Sequence, residues 1–185
     1  MASTSVIHGK VLEIEDSVEL PGVEVCIKGT NICTSTDAKG DFDLNVPADS
    51  LITLTATLAG TSEHLVSTCA DGRRVQLLID DTATIHDCTF MGPPEEERYG
   101  VRGRVVSGGR PVSRAALTIL TLQHKTISSG RSDRRGRFAL KGFPEGTYIL
   151  QISKPGYDEQ RVTFRVQYCA SEKNITVPLL TKCDK

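Results

Sequence analysis

One stretch of this chain occurs twice. Thr36-Asp37-Ala38-Lys39-Gly40-Asp41-Phe42-Asp43-Leu44 returns 96 positions later as Ser132-Asp133-Arg134-Arg135-Gly136-Arg137-Phe138-Ala139-Leu140. The spacing Asp-x-x-Gly-x-Phe-x-Leu is kept. At the same offset Leu54 meets Leu150 and Gly60 meets Gly156. Upstream, His8-Gly9-Lys10-Val11 matches Arg102-Gly103-Arg104-Val105, and downstream Cys69-Ala70 matches Cys169-Ala170. Ordered matches along two halves mark an internal repeat, which constrains the fold more than any single motif does. Each half holds roughly 90 residues, the size of a small sandwich domain.

The hydrophobic period sets the fold class. Phe42, Leu44 and Val46 alternate with Asp41, Asp43 and Asn45, and Ile52, Leu54, Ala56 and Leu58 alternate with three threonines. Phe138 and Leu140, then Tyr148, Leu150 and Ile152, do the same in the second half. Period two means strands with one buried face. Turn residues recur about every 8–12 positions, as a sandwich requires. The expectation is all-β: two tandem antiparallel β-sandwiches of about seven strands each. In the first half the strands fall near 6–14, 21–28, 31–36, 40–46, 51–58, 63–69 and 73–80. With no Trp and aromatics at 5%, the cores must rest on Val, Leu and Ile, which suit a pleated surface.

The repeated Asp-x-x-Gly reads as a turn rather than a ligand site. Asp accepts hydrogen bonds from backbone N–H groups two or three residues on. Gly then takes a backbone angle that other residues adopt only at a cost. The Phe opens the next strand, facing the core.

Charge is sorted between the halves. Residues 1–92 carry 5 Lys and Arg against 14 Asp and Glu, residues 93–99 carry one against three, and residues 100–185 carry 16 against 6. The expected division is therefore an acidic module at 1–92, a Pro/Glu linker at 93–99 and a basic module at 100–185. Pro93-Pro94 and the glutamates after them favour a stiff spacer that holds the modules apart unless opposite charges draw them together. Arg131, Arg134, Arg135 and Arg137 crowd around the turn before the Phe138 strand. They are either solvated turn charges or a docking surface for an anionic partner.

At these residues the sequence resembles the carboxypeptidase regulatory-like domain, a transthyretin-like β-sandwich. The first copy shows Gly9-Lys10-Val11, then Leu20-Pro21-Gly22-Val23-Glu24-Val25, then the Asp37 turn. The second shows Gly103-Arg104-Val105, Arg110-Pro111-Val112, the Asp133 turn, Gly146-Thr147-Tyr148 and Lys154-Pro155-Gly156-Tyr157. The resemblance implies an accessory module that stiffens, spaces or docks, appended to peptidases, receptors, adhesins or secretion parts. It also implies, by way of related sandwiches, that sugar binding stays open.

Chemistry is sought and not found. Intradiol dioxygenases of the same broad class hold iron with two Tyr and two His, including a His-x-His pair. Here His8, His64, His86 and His124 are never two apart. Hydroxyisourate hydrolases related to transthyretin end in Tyr-Arg-Gly-Ser, whereas this chain ends Thr181-Lys182-Cys183-Asp184-Lys185. No nucleophile elbow, phosphate loop or zinc-binding Cys-x-x-Cys occurs. His86-Asp87-Cys88 are sequence neighbours, and neighbours on a strand face opposite ways. No catalytic residue, metal or cofactor is expected. Asn174-Ile175-Thr176 fits a glycosylation triplet.

Of six cysteines, Cys26 and Cys33 alone would face each other, across a hairpin turning at Gly29-Thr30. A disulfide there is the exception to an expectation of mostly free thiols. No segment nears the roughly 20 apolar residues of a membrane helix. The opening Met1-Ala2-Ser3-Thr4-Ser5 lacks the features of a secretory signal, a slight weight toward the cytoplasm. The family resemblance leans extracytoplasmic, and the compartment stays open. A non-catalytic protein-interaction or structural module is the leading expectation. Carbohydrate binding ranks second. Nucleic-acid binding is not expected, because an acidic module is tethered to the basic one; nor is membrane insertion.

Overall fold

The alternating segments all become strands. In the first module these are β1 (Thr4–Glu13), β2 (Glu24–Ile27), β3 (Cys33–Ser35), β4 (Asp41–Pro47), β5 (Leu51–Leu58), β6 (Ser62–Cys69) and β7 (Arg74–Ile79). In the second they are β8 (Gly100–Ser107), β9 (Arg110–Pro111), β10 (Ala116–Thr121), β11 (Thr126–Arg131), β12 (Arg137–Lys141), β13 (Gly146–Ser153), β14 (Gln160–Val166) and β15 (Glu172–Pro178). The short β9 is the addition to the expected seven; it pairs with the end of β8. The computed structural model describes residues 4–48, 50–58, 62–71, 74–80, 100–166 and 172–182, and no helix occurs among them.

Each module is two-layered. In the first, β4-β1-β7 faces β6-β5-β2-β3; in the second, β12-β8-β15 faces β14-β13-β10-β11. Pairing is antiparallel except for β1 with β7 and β8 with β15, which run parallel. A parallel pair needs a crossover; here the chain supplies it by building the opposite layer in between. The period-two residues point inward as their pattern requires: Phe42, Leu44 and Val46 on β4 and Phe138 and Leu140 on β12 are buried. Phe42 and Phe138 occupy equivalent places, 4% and 7% exposed.

The glycines that open each module's repeat have a packing reason. Gly9 pairs with both Phe42 and Val75, and Gly103 with both Phe138 and Ile175. A Cβ on Gly9 would lie 2.3 Å from the Phe42 ring and 2.8 Å from the Val75 carbonyl oxygen. On Gly103 it would lie 1.7 Å from the Ile175 carbonyl oxygen. Only a residue without a side chain lets three strands close up here.

The modules are not held apart. β6 pairs antiparallel with β14, Gln160 opposite Val66, Arg161 opposite Leu65 and Val162 opposite His64. The pairing fuses one layer of each module into an eight-stranded sheet, β11-β10-β13-β14-β6-β5-β2-β3. This corrects the picture of two sandwiches spaced by a rod. The physical reason is that each sandwich alone would leave an unpaired edge at β6 or β14, and each edge supplies what the other lacks. The linker, 93–99, lies outside the described residues. Two hydrophobic clusters persist, one per module, yet Leu12, Ile14 and Leu78 of the first module pack into the second's cluster. Leu180 returns the contact by packing on the first.

A buried polar group sits at this seam. His64 is fully buried, and its Nδ1 accepts the Leu78 N–H at 2.7 Å. The ring is therefore the neutral tautomer with its proton on Nε2. Nε2 faces the Gln160 amide across the seam without a well-aligned hydrogen bond. Gln160 in turn donates from Nε2 to the Pro178 carbonyl at 2.5 Å. Asp80, also buried, accepts the Arg165 N–H at 2.6 Å. Burial pushes the His64 imidazole down to about 3.

Candidate functional site

The repeated turn is the same in both modules, atom for atom. Asp37 Oδ1 accepts the N–H groups of Lys39 and Asp41 at 2.8 and 2.9 Å. Asp133 Oδ1 accepts those of Arg135 and Arg137, both at 2.8 Å. These bonds hold both carboxyls below the usual range, led by the Lys39 N–H at Asp37 and by the Arg137 N–H at Asp133. Gly40 and Gly136 follow at φ 68° and 74°. Their carbonyls accept the Val11 and Val105 N–H groups, both at 2.8 Å. The residue before each Asp is a buried hydroxyl with two partners. Thr36 Oγ1 accepts from Val23 N at 2.9 Å and donates to Leu20 O at 2.7 Å. Ser132 Oγ accepts from Ala115 N at 2.9 Å and donates to Val112 O at 2.8 Å. The polar atoms of the motif are engaged in holding the chain.

The surface beside the turn differs between modules. Arg131, Arg134, Arg135 and Arg137 are all exposed, and Arg137 Nε donates to Asp133 Oδ2 at 3.0 Å. The register adds residues that were read from the sequence only as repeat matches. Arg104 stands directly opposite Arg137, and Arg102 opposite Ala139. Arg102 and Arg104 are both exposed, alternating with Val101 and Val105. Lys141 continues the basic stripe on β12. In the first module the same positions are complementary: Lys10 opposes Asp41, with 3.6 Å between Nζ and Oδ2, and His8 Nδ1 lies 2.5 Å from Asp43 Oδ1. Lys10 also donates to Glu19 at 2.5 Å, which raises its ammonium above the ordinary value. Like charges directly opposed on one sheet face are destabilising. The second module carries such a pair where the first carries opposite charges. The alternation Arg-x-Arg on β8 was the readable signal; that its partner across the strand would be another Arg was not.

The described histidines and tyrosines do not converge. His8 lies on the outer face of β1, His64 is buried at the seam, and His124 sits in the β10–β11 turn at φ 62°. The Tyr148 hydroxyl donates to the Pro144 carbonyl at 2.8 Å, and its ring packs edge-on against Phe143. His86, Cys88, Tyr99 and Tyr168 lie outside the described residues.

Cys26 and Cys33 are bridged, with Cα atoms 4.1 Å apart. The β2–β3 register places them opposite each other, between the Ile27–Ile32 hydrogen bond and the next rung; such a non-hydrogen-bonded site brings side chains closest. Glu24 lies close, its carboxylate and the two sulfurs all within 4.8 Å. The sulfurs bond each other and so offer no thiolate to a metal. Cys69 is disulfide-bonded too. Mostly free thiols were expected, and the described cysteines overturn that: none is free. Sequence spacing conceals pairs that strand packing brings together. Mass spectrometry should show Cys26, Cys33 and Cys69 alkylated only after reduction. Their labelling in the native, unreduced protein would contradict the bridges.

Comparison with known families decides what this geometry belongs to. Residues 100–179 match the carboxypeptidase regulatory-like domain, and residues 7–85 match the CarboxypepD_reg-like domain. The chain is a tandem of two carboxypeptidase regulatory-like domains. Its similarity to Colossin-A of Dictyostelium discoideum is 27% identity over 172 residues, covering 79% of this chain and 2% of that protein. The tandem thus spans a small fraction of its relative's length. Among solved structures it is similar to the Bacillus anthracis TIE protein (17% identity, TM-score 0.38, covering 97% of this chain and 34% of that one). It is also similar to the shaft pilin SpaA of Lactobacillus rhamnosus GG (14% identity, TM-score 0.37, covering all of both chains). Scores this low carry no argument about assembly or ligand.

Proposed function

We propose that this tandem is a non-catalytic interaction or structural module that docks an acidic protein surface. The basic stripe Arg102–Arg104–Arg137–Lys141, with Arg131, Arg134 and Arg135 at its turn, is the docking site. The observation that carries the reading is the Arg104–Arg137 opposition. Asp133 offsets part of its cost through the Arg137 Nε bond, and a carboxylate-bearing partner would offset more. On the matching face of the first module the opposed residues are complementary instead, Lys10 with Asp41 and His8 with Asp43. Family membership supports an accessory role rather than a catalytic one.

Capture by the immobilised full chain tests this. Bound protein should fall steeply as salt rises, because exposed charges are screened beyond about 10 Å at 0.1 M. Arg134→Glu with Arg135→Glu should weaken capture roughly tenfold, the sum of several modest exposed pairs. Capture that ignores both salt and the reversals would sink the reading.

A further inference from the structure

We propose that the acidic partner is a second copy of this chain, joined head to tail by pairing the β12 edge of one copy with the β4 edge of the next. This rests on the docking reading above and names the occupant of that site.

The sheet ends differ in what they offer. The eight-stranded sheet ends in β3, three residues long, and in β11, which carries a bulge where its register with β10 shifts between Ile119 and Leu120. Short edges and bulges are how sheets resist extension. The other layer is two separate sheets, β4-β1-β7 and β12-β8-β15; β7 and β15 end them toward the seam, and β4 and β12, of seven and five residues, end them on the other side. Both pair with their inner neighbours in unbroken register. Among the described residues no strand lies beyond either one. Such an edge is a template for an added strand.

The two edges are complementary and cannot meet within one molecule. β12 lies on the far side of β8 from β15, and β4 on the far side of β1 from β7. The start of β7 and the end of β15 flank the seam, where Arg74 and Leu179–Thr181 line one groove. The open edges therefore point away from the seam and from each other. β4 presents Asp41 and Asp43 on its outer face; β12 presents Arg137 and Lys141, with Arg134 and Arg135 at its turn. Pairing β4 with β4 sets Asp against Asp, and β12 with β12 sets Arg and Lys against each other. Only the mixed pairing is attractive, so charge selects against a two-fold dimer. A joint between two different surfaces repeats, giving rings or open chains.

Sedimentation of the full chain over a concentration series tests the joint. At low salt, species larger than the monomer should grow with concentration, and high salt should weaken association by about tenfold or more. An Asp41→Lys, Asp43→Lys chain and an Arg137→Glu, Lys141→Glu chain should each stay monomeric, their thermal melts confirming the fold. Mixing the two should restore association, as should all four changes on one chain. Misfolded variants could not produce that restoration. Asp43→Lys alone, which leaves the Asp37 turn intact, should weaken association less. A monomer at every concentration, a dimer indifferent to salt and reversal, or folded variants that stay apart on mixing would overturn the proposal. If the chain is monomeric while Arg134 and Arg135 still govern capture of another protein, the joint falls and the docking reading stands. If both are lost, both fall.

Discussion

Gly103→Ala should lower the stability of the second module by about 3 kcal/mol or more, at the top of the range for overpacked cores. The added methyl has nowhere to go. It would meet the Ile175 carbonyl oxygen at 1.7 Å, and that oxygen belongs to the backbone of a paired strand. Relief requires β15 to move off β8, breaking a ladder that runs from Gly100–Glu172 to Val106–Pro178. Gly9→Ala should cost less. Its nearest obstacle is the Phe42 ring at 2.3 Å, a side chain that can tilt, although the Val75 carbonyl at 2.8 Å limits the adjustment. Denaturant unfolding of both variants checks the order. An equal or smaller loss for Gly103→Ala would show that the β8–β15 pairing is looser than the structure has it.

Acid should loosen the molecule through His64. The imidazole is held at about 3 in the folded chain, against an ordinary value of 6.5, chiefly by burial. The unfolded chain therefore takes up this proton first as pH falls. Above about 6.5 the folded state keeps its full advantage; below that it loses roughly 1.4 kcal/mol per pH unit until about pH 3. The total is on the order of 4–5 kcal/mol, comparable with the whole stability of a marginal domain. Protonation would also turn Nδ1 into a donor aimed at the Leu78 N–H, which now donates to it at 2.7 Å. The polar side chain facing the ring is that of Gln160 on β14. His64→Gln removes the titration. Stability measured from pH 7 to 4 should fall more steeply in the native chain than in this variant. Parallel slopes would show that other groups carry the acid response.

Much of this was legible in the residues. Phe42 and Phe138 could be placed in equivalent cores because strand side chains alternate with period two, a local rule. The Asp37 and Asp133 turns could be read because their hydrogen bonds close within four residues. The Cys26–Cys33 opposition followed from hairpin counting for the same reason. What depends on distant partners was not legible. Gly9 and Gly103 matched in sequence, but only the three-strand register shows why a side chain is excluded there. Arg102 and Arg104 looked like ordinary strand residues until Arg137 was found across from one of them. Cys69 gave no sign of being bridged. The largest difference is the seam. The composition of 93–99 favours a stiff spacer, yet β6 and β14 each bring an unpaired edge, and buried backbone groups find partners wherever geometry permits. Alternation along a strand is a property of the strand's own residues. The neighbour of an edge strand is chosen by which other edge the fold brings within hydrogen-bonding reach, and only the tertiary structure decides that.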